Sequence, residues 1–222
     1  KFIVVLGPVG VGKSTVIRYL TAILSNRKFK VNRVFIKAFH GPSYLLWIFI
    51  ARLLGLPKYR APWYLLPKFG YVRLTRILMI ISAYVDAFVN IPIKLLFIYI
   101  SRMLNHIVLS EEYIYSTILD YTFAYIDLNI KGSLSRLPLK VLLSLLTKKS
   151  PDTVIILTAD DKNLFERWRS RGYGDPQLRY VKLERWFFTN IVRAIGDTQV
   201  LMINTDGFSI MDTIKALIKA IL

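Results

Sequence analysis

The stretch Gly7-Pro8-Val9-Gly10-Val11-Gly12-Lys13-Ser14 fits the pattern G-x-x-x-x-G-K-[ST] in full. An apolar run from Phe2 to Leu6 precedes it, as expected of a strand buried on both faces, and helical spacing follows from Lys13 to Leu24. A glycine-rich turn in this context points successive backbone N–H groups inward, and the start of the helix adds positive potential. The stretch therefore predicts a phosphate-binding loop (P-loop).

The last residues of this loop carry its chemistry. The Lys13 ammonium can reach the β- and γ-phosphates of a nucleoside triphosphate, and the Ser14 hydroxyl can ligate Mg²⁺. We therefore expect ATP and Mg²⁺ as cofactors. The nucleotide-binding residues expected in the loop are Gly7, Pro8, Val9, Gly10, Val11, Gly12, Lys13, Ser14 and Thr15.

Beyond the loop, buried strands alternate with helices along the chain. This alternation predicts a three-layer α/β fold of the P-loop NTPase type, with a five-stranded parallel sheet covered on both faces. The four further strands are expected at Val34–Phe39, His106–Leu109, Thr153–Leu157 and Val200–Ile203. Between them we expect a loop over residues 57–70 and helices over 44–56, 71–89, 93–105, 113–128, 137–146, 162–171, 178–195 and 210–222, with Pro92 separating two of these helices.

Composition limits the class of protein. The chain has 222 residues, which suits one domain, and 54% of them are hydrophobic, which excludes intrinsic disorder for most of its length. There is no cysteine and there are two histidines, so disulfide frameworks, thiolate metal sites and a histidine zinc site are not expected. The net charge of +17 indicates an anionic partner.

The high hydrophobicity raises the question of a membrane. The most apolar region, Ile77–Ile100, is interrupted by polar residues and lacks the roughly 18 uninterrupted apolar residues of a spanning helix. We expect a cytoplasmic protein, with peripheral contact to an anionic membrane surface, a protein partner or a homodimer left as alternatives. Nucleic acid is not favoured, because no aromatic-basic recognition motif is visible.

Four segments in their order resemble thymidylate kinase, a member of the P-loop nucleoside monophosphate kinase family. They are GPVGVGKST at 7–15, SEEYIYS at 110–116, PDTVIIL at 151–157 and ERWRSRG at 166–172. The resemblance covers nearly the whole chain in the order of its elements. It implies a single kinase-like domain over residues 1–222, with an acceptor or cover region at about 40–105 and a small lid at about 171–179.

The resemblance also implies roles for residues outside the loop. Glu111 stands where the family has the acidic residue near Mg²⁺, and Glu112 and Tyr113 follow it where the family contacts substrate. Arginines of the lid region supply charge to the transferring phosphoryl group in family members that lack a P-loop arginine. The residues with implied roles are Arg167, Arg169 and Arg171 in catalysis, His40, Arg73 and Arg76 at the acceptor, and Thr205 and Asp206 near the adenine ring.

Two positions depart from the family pattern. Val9 replaces a carboxylate that contacts the nucleotide sugar, and Glu112 replaces an arginine that holds phosphate. Two hypotheses follow. The first is thymidylate kinase-like phosphoryl transfer, dependent on ATP and Mg²⁺, to a nucleoside monophosphate-like acceptor, with thymidylate itself expected to be a poor acceptor or none. The alternative is a thymidylate kinase-like ATPase or nucleotide-dependent binding protein with a rebuilt acceptor pocket, which acts with a protein partner or at a membrane surface.

Overall fold

The computed structural model describes residues 1–57, 61–170, 178–194, 198–206 and 210–221. Five strands and ten α-helices alternate through these residues. The strands are β1 (Phe2–Leu6), β2 (Val31–Phe35), β3 (Ile107–Glu111), β4 (Thr153–Thr158) and β5 (Gln199–Asn204). The helices are α1 (Lys13–Asn26), α2 (Pro42–Leu53), α3 (Pro62–Lys68), α4 (Val72–Val85), α5 (Ile91–Met103), α6 (Ile114–Asp127), α7 (Ser133–Lys148), α8 (Asp161–Ser170), α9 (Leu178–Ala194) and α10 (Ile210–Ile221).

All five strands lie parallel in one sheet, in the order β2-β3-β1-β4-β5. The predicted α/β fold with a five-stranded parallel sheet is therefore confirmed. β1 is central, between β3 and β4, and it leads directly into the glycine-rich stretch. The carboxyl edge of the sheet thus carries the predicted phosphate loop in its middle, where ligands bind in open α/β sheets.

Alternate residues of β1 enter two separate cores. Phe2, Val4 and Leu6 pack into a large core that holds residues of helices α2 to α7 and α9. Ile3 and Val5 face a smaller core with residues of α1, α8 and α10. This period of two on a strand buried on both faces explains why the run reads as continuously apolar.

The second strand lies earlier in the chain than the predicted range, Val34–Phe39. β2 ends at Phe35, four residues before the predicted end, and its register runs from Val31 opposite Ile107 to Phe35 opposite Glu111. The chain then turns away, because Phe39 adopts a left-handed φ of 60° and its backbone N–H donates to Asp86 Oδ2 at 3.1 Å. The hydrophobic run of 34–39 therefore spans a strand end and a turn.

Two expectations between residues 57 and 105 were also wrong. The predicted loop contains helix α3, with Pro62 in its first turn, where a missing N–H costs nothing. Pro92 does not separate two helices. A π-helical turn (Asp86–Asn90) joins α4 directly to α5, and Pro92 is the second residue of α5, just after this turn.

The joined helix Val72–Met103 is the one segment among the described residues that is long and apolar enough to cross a membrane. Its length is 32 residues, and 33% of its most apolar window is buried. Leu78 and Met79 on α4 and Ile98 on α5 belong to the large core. One side of the helix is therefore packed against the protein, and the other side is largely exposed.

Candidate active site

The glycine-rich stretch folds as a tight loop around a backbone cradle. Gly7, Gly10 and Gly12 have φ values of 140°, 92° and 103°, which side-chain-bearing residues rarely adopt. A Cβ at Gly7 would collide with the carbonyl oxygen of Leu157 on β4. Gly12 is the residue before α1, so the cradle opens onto the N-terminus of a 14-residue helix. This arrangement can hold a phosphate.

Lys13 lies inside the loop and is 7% exposed. Its Nζ donates to the carbonyl oxygens of Gly7 at 2.5 Å and Pro8 at 3.1 Å. The same atom lies 3.0 Å from Glu112 Oε1. The ammonium is thus held at the mouth of the cradle by three acceptors, close to where the loop would place a phosphate.

Ser14 and Glu111 form the second polar pair of the loop. Ser14 Oγ donates to Glu111 Oε1 at 2.7 Å, which joins the first turn of α1 to the end of β3. The described residues contain no group of three or more His, Cys, Asp or Glu side chains suited to a metal. A hydroxyl and one carboxylate nevertheless fit Mg²⁺, which binds through one or two carboxylates together with phosphate oxygens and water.

Glu112 is buried and lies between two lysines. Besides Lys13, Lys37 Nζ lies 3.9 Å from Glu112 Oε1, and Ser116 Oγ donates to Glu112 Oε2. Burial alone would raise the pKa of this carboxyl, but Lys13, Lys37 and the Ser116 hydrogen bond bring the pKa below its ordinary value. Glu112 is therefore a carboxylate at neutral pH.

The backbone of Glu112 is also unusual. Its φ of 65° lies in the left-handed region, which costs energy for a residue with a side chain. Ser110 Oγ donates to the Glu112 carbonyl at 2.6 Å, and the Glu112 N–H donates to the Val5 carbonyl at 3.1 Å. These bonds hold the strained residue so that its side chain points at the P-loop lysine.

Further buried charges extend this network away from the P-loop. Burial would lower the pKa of Lys37, but Asp120, Glu112 and Glu184 raise it above its ordinary value. Burial raises the pKa of Asp120, although Lys37 and a 2.6 Å hydrogen bond from the Tyr180 hydroxyl oppose that effect. Burial likewise raises the pKa of Glu184 from 4.5 to about 7. Glu184 thus titrates near neutral pH.

A cavity of about 160 Å³ opens beside this network. Its aromatic walls include Phe39 and Trp63, whose rings are stacked with centroids 4.7 Å apart. Asp120 lines the cavity and is 9% exposed, and its buried Oδ2 has no hydrogen-bond partner among the described residues. The other lining residues are Tyr64, Pro67, Lys68, Met79, Phe123, Ala124, Asp127, Leu128 and Tyr180. Such walls suit a planar ring that offers a hydrogen-bond donor.

Helix α8 brings one of the predicted arginines to the P-loop. A Cβ at Gly10 would lie 3.6 Å from Arg167 Cβ, so α8 passes directly behind the loop. The Arg167 guanidinium is 3.6 Å from Asp206 Oδ1. Arg169 is exposed two residues further on. Arg171 and most of the predicted lid at 171–179 fall outside the described residues, and Leu178 and Arg179 begin α9.

Thr205 and Asp206 follow β5 at the same edge of the sheet. Thr205 Oγ1 donates to the Thr158 carbonyl at 3.1 Å. Asp206 accepts a hydrogen bond from the backbone N–H of Asp160 and another from Asn163 Nδ2 at 2.9 Å. Asp206 therefore holds the start of α8 in place, whereas Thr205 joins the end of β5 to the end of β4.

The four remaining acceptor candidates are not brought together at the cavity. His40 donates through Nδ1 to the Ala38 carbonyl at 2.7 Å, and burial lowers its pKa. Arg73 is exposed on α4, while Arg76 Nε donates to the Leu128 carbonyl at 2.8 Å. Tyr113 is fully buried, and its hydroxyl donates to the Lys149 carbonyl at 2.6 Å. The structure thus gives Tyr113 a packing position in the core.

Lys37, Asp120, Tyr180 and Glu184 are polar residues of the site that were not predicted. A signal for them exists in the sequence, because Glu112, Ser116 and Asp120 recur every four residues and so share one face of α6 and its N-terminus. Tyr180 and Glu184 have the same spacing on α9. Polar residues at helical spacing in an apolar run indicate a buried polar face, and here two such faces meet.

Comparisons with known proteins agree on the fold. No family model and no curated protein matches the sequence. Among solved structures, thymidylate kinase from Candida albicans is similar with a TM-score of 0.56 and 17% identity, over 100% of this chain and 90% of that chain. Deoxyadenosine kinase from M. mycoides with bound dCTP is similar with the same TM-score and identity, over 99% of this chain and 98% of that chain. Together with the P-loop at the end of β1, these likenesses show that the chain has the thymidylate kinase-like P-loop kinase fold.

Proposed function

We propose that this protein transfers the γ-phosphoryl group of ATP, in the presence of Mg²⁺, to a nucleoside monophosphate-like acceptor. The observation that carries the proposal is the P-loop itself, in which Lys13 lies at the mouth of the glycine cradle and Ser14 is hydrogen-bonded to Glu111. The kinase fold of the two structural neighbours supports it.

In this proposal the residues act by positioning and by charge. The loop amides and Lys13 hold the β- and γ-phosphates, and Ser14 with Glu111 offers oxygen ligands for Mg²⁺. Bound Mg²⁺ would neutralise charge on the phosphate oxygens. Arg167, together with Arg169 and Arg171, would stabilise charge that develops on the transferring group. Thr205 and Asp206 would lie near the adenine ring of ATP.

The cavity supplies the acceptor side. Its stacked aromatic walls would hold the base, and Asp120 Oδ2 would accept a hydrogen bond from it. Lys37 carries positive charge between the cavity and the P-loop and would meet the acceptor phosphate, with His40, Arg73 and Arg76 kept as further candidates. Because one structural neighbour is a deoxyadenosine kinase, nucleosides belong among the acceptors tested.

A second candidate function is favoured by one contact. Glu112 is a buried carboxylate paired with Lys13 at 3.0 Å, in the place where a positive charge would help an anionic acceptor. An ATPase or nucleotide-dependent binding protein needs the P-loop but no acceptor clamp. In this alternative the protein binds ATP but phosphorylates no acceptor. It acts instead with a protein partner or at a membrane surface.

The experiment that separates the two measures ADP release with ATP and Mg²⁺, alone and with each member of a panel of nucleoside monophosphates and nucleosides. Stimulation by one acceptor, with a phosphorylated product found by mass spectrometry, is the result expected of a kinase. Lys13→Ala is the control that must abolish release. Basal hydrolysis that no acceptor changes would contradict the kinase proposal and favour the ATPase.

A further inference from the structure

The exposed side of α5 is a continuous apolar stripe. Ile93, Leu96, Phe97, Ile100 and Met103 are spaced as neighbours on one face of a helix. Their exposed fractions are 61%, 58%, 47%, 47% and 66%. The opposite face, with Ile91, Ile98 and Ser101, is buried. The stripe runs for about 15 Å along the helix.

A second stripe on α2 begins near the first. Leu45, Phe49 and Leu53 follow one another at intervals of four and are 68%, 59% and 67% exposed. Asn90, which precedes α5, donates through Nδ2 at 2.8 Å to the carbonyl of His40, two residues before α2 begins. We call the exposed residues of the two stripes the apolar face. Soluble monomers rarely expose so many large apolar side chains in neighbouring elements without a partner.

The charge of the chain is concentrated in the half that carries this face. Of the 14 acidic residues only Asp86 precedes Glu111, whereas 16 of the 31 basic residues do. Asp86 is fully buried. The first 110 residues therefore carry +15 of the net charge of +17, although Arg102 pairs with Asp152, and Lys13 and Lys37 lie beside Glu112.

We propose that the apolar face docks on an anionic lipid bilayer as a peripheral contact. Large apolar side chains in a strongly basic part of the chain, with the exposed Arg52 next to Leu53 of the second stripe, match a surface that is both apolar below the headgroups and negatively charged. A second copy of the chain is disfavoured as occupant, because each copy carries a net charge of +17 and like charges repel across an interface. This docking does not depend on the proposed kinase activity, so vesicle binding and ADP release test the two proposals separately.

The test is a flotation assay with vesicles of phosphatidylcholine alone and of equal parts phosphatidylcholine and phosphatidylglycerol. The protein is expected to float with the anionic vesicles at low salt, to stay behind with the neutral ones, and to be released as salt screens the charge. The double variant Leu96→Gln/Ile100→Gln should lower the vesicle-bound fraction roughly tenfold, because two large side chains no longer leave water.

Two matched variants control this result. Ile126→Gln/Leu134→Gln alters equally exposed apolar residues in the other half of the chain, at 69% and 70%, and should float like the parent. Arg52→Gln, on α2, should weaken flotation and reduce its dependence on salt. Thermal melting and ATP binding of Leu96→Gln/Ile100→Gln check that it folds.

Three outcomes would overturn the proposal. The first is no flotation with anionic vesicles at low salt. The second is an equal loss in both double variants. The third is a dimer in analytical ultracentrifugation that Leu96→Gln/Ile100→Gln abolishes while the parent does not float, which would assign the face to a second copy.

Discussion

At the scale of single residues, Lys13 and Glu112 determine the electrostatics of the P-loop. Lys13 donates to two loop carbonyls and pairs with Glu112, which is buried and charged. A bound triphosphate would compete with that carboxylate for the ammonium. Affinity for ATP would then depend on how much more strongly Lys13 interacts with the triphosphate than with Glu112.

The first prediction concerns Lys13. Lys13→Ala should weaken ATP·Mg²⁺ binding by about 1.5–3 kcal/mol, the value of a hydrogen bond to a charged group, or roughly ten- to a hundredfold in Kd. Isothermal titration calorimetry, at a temperature where the variant is folded, measures this. Lys131→Ala, at an exposed position, is the control. Unchanged affinity in Lys13→Ala would remove the P-loop assignment.

The second prediction concerns Glu184, whose pKa burial raises from 4.5 to about 7. The folded state binds the Glu184 carboxyl proton more tightly than the unfolded chain does. The contribution of Glu184 to the free energy of unfolding is therefore most favourable at low pH and declines as pH rises from about 4.5 to 7. Glu184→Gln cannot ionise, and its stability relative to the parent should therefore increase over that range, by on the order of 3 kcal/mol in total.

Urea unfolding of both proteins at about pH 5 and pH 8 measures this difference. Glu166→Gln, at an exposed position on α8, is the control for removing a carboxylate from the surface. A difference between Glu184→Gln and the parent that does not change with pH would contradict the prediction.

At the scale of elements, the π-helical turn organises the region between the sheet and the cavity. Its first residue, Asp86, is fully buried and accepts from Ser43 Oγ at 2.7 Å, from the Tyr121 hydroxyl at 2.6 Å and from the Phe39 N–H at 3.1 Å. These bonds join α2, α6 and the turn after β2 to one carboxyl group. Phe39, which forms part of the cavity wall, is positioned by them.

The third prediction is that Asp86→Ala destabilises the protein by about 3–5 kcal/mol, since it leaves several buried donors unsatisfied. Chemical denaturation measures the change in the free energy of unfolding. Asp127→Ala, at an exposed position near the end of α6, should cost little. A loss in Asp86→Ala no larger than that of Asp127→Ala would show that the turn does not depend on this carboxyl.

Helix α8 gives the fourth prediction. Arg167 lies behind Gly10, so Arg167→Ala or Arg169→Ala should lower turnover roughly tenfold or more while Kd for ATP changes little, since these charges act on the transition state. Single-turnover kinetics and calorimetry separate the two effects. Lys162→Ala on the same helix is the control. Normal turnover in both arginine variants would make α8 a structural helix with a basic surface.

At the scale of the whole molecule, the acceptor side has a mixed charge pattern. Glu112 precedes α6, Asp120 lies on α6, and Glu184 lies on α9. Among the described residues, Lys13 and Lys37 are the cations that oppose these three carboxyl groups. The network joins the P-loop to the aromatic cavity. A dianionic phosphate that approaches from the cavity meets carboxylates as well as lysines.

The fifth prediction is that thymidylate is a poor acceptor or none. Val9 cannot accept a hydrogen bond from a sugar hydroxyl, which costs about 1–3 kcal/mol in a closed site, and Glu112 repels the acceptor phosphate. Arg76 Nε donates to the Leu128 carbonyl, so Arg76 would have to bind a phosphate through its two terminal nitrogens. A coupled assay of ADP release measures the effect against other monophosphates. Strong stimulation by thymidylate would overturn the prediction.

Much of the architecture could be predicted from local pattern. The P-loop, β1, β4 and the helices α1 and α6 were predicted within a few residues, because buried apolar runs, glycines and helical spacing are local signals. The composition by itself excludes cysteine chemistry, and the net charge of +17 predicts an anionic partner. These properties depend on which residues are present and on their near neighbours.

Only the tertiary structure decided where β2 ends, that Pro92 lies within a joined helix, and which charges meet. The end of β2 depends on Phe39 N–H finding Asp86, 47 residues away. The pairing of Lys13 with Glu112, and of Asp120 with Tyr180, joins elements that are distant in the chain. Burial raises the pKa values of Asp120 and Glu184, and the lysines packed beside Glu112 lower the pKa of Glu112. Burial and such pairings are properties of the packed molecule that no local sequence pattern contains.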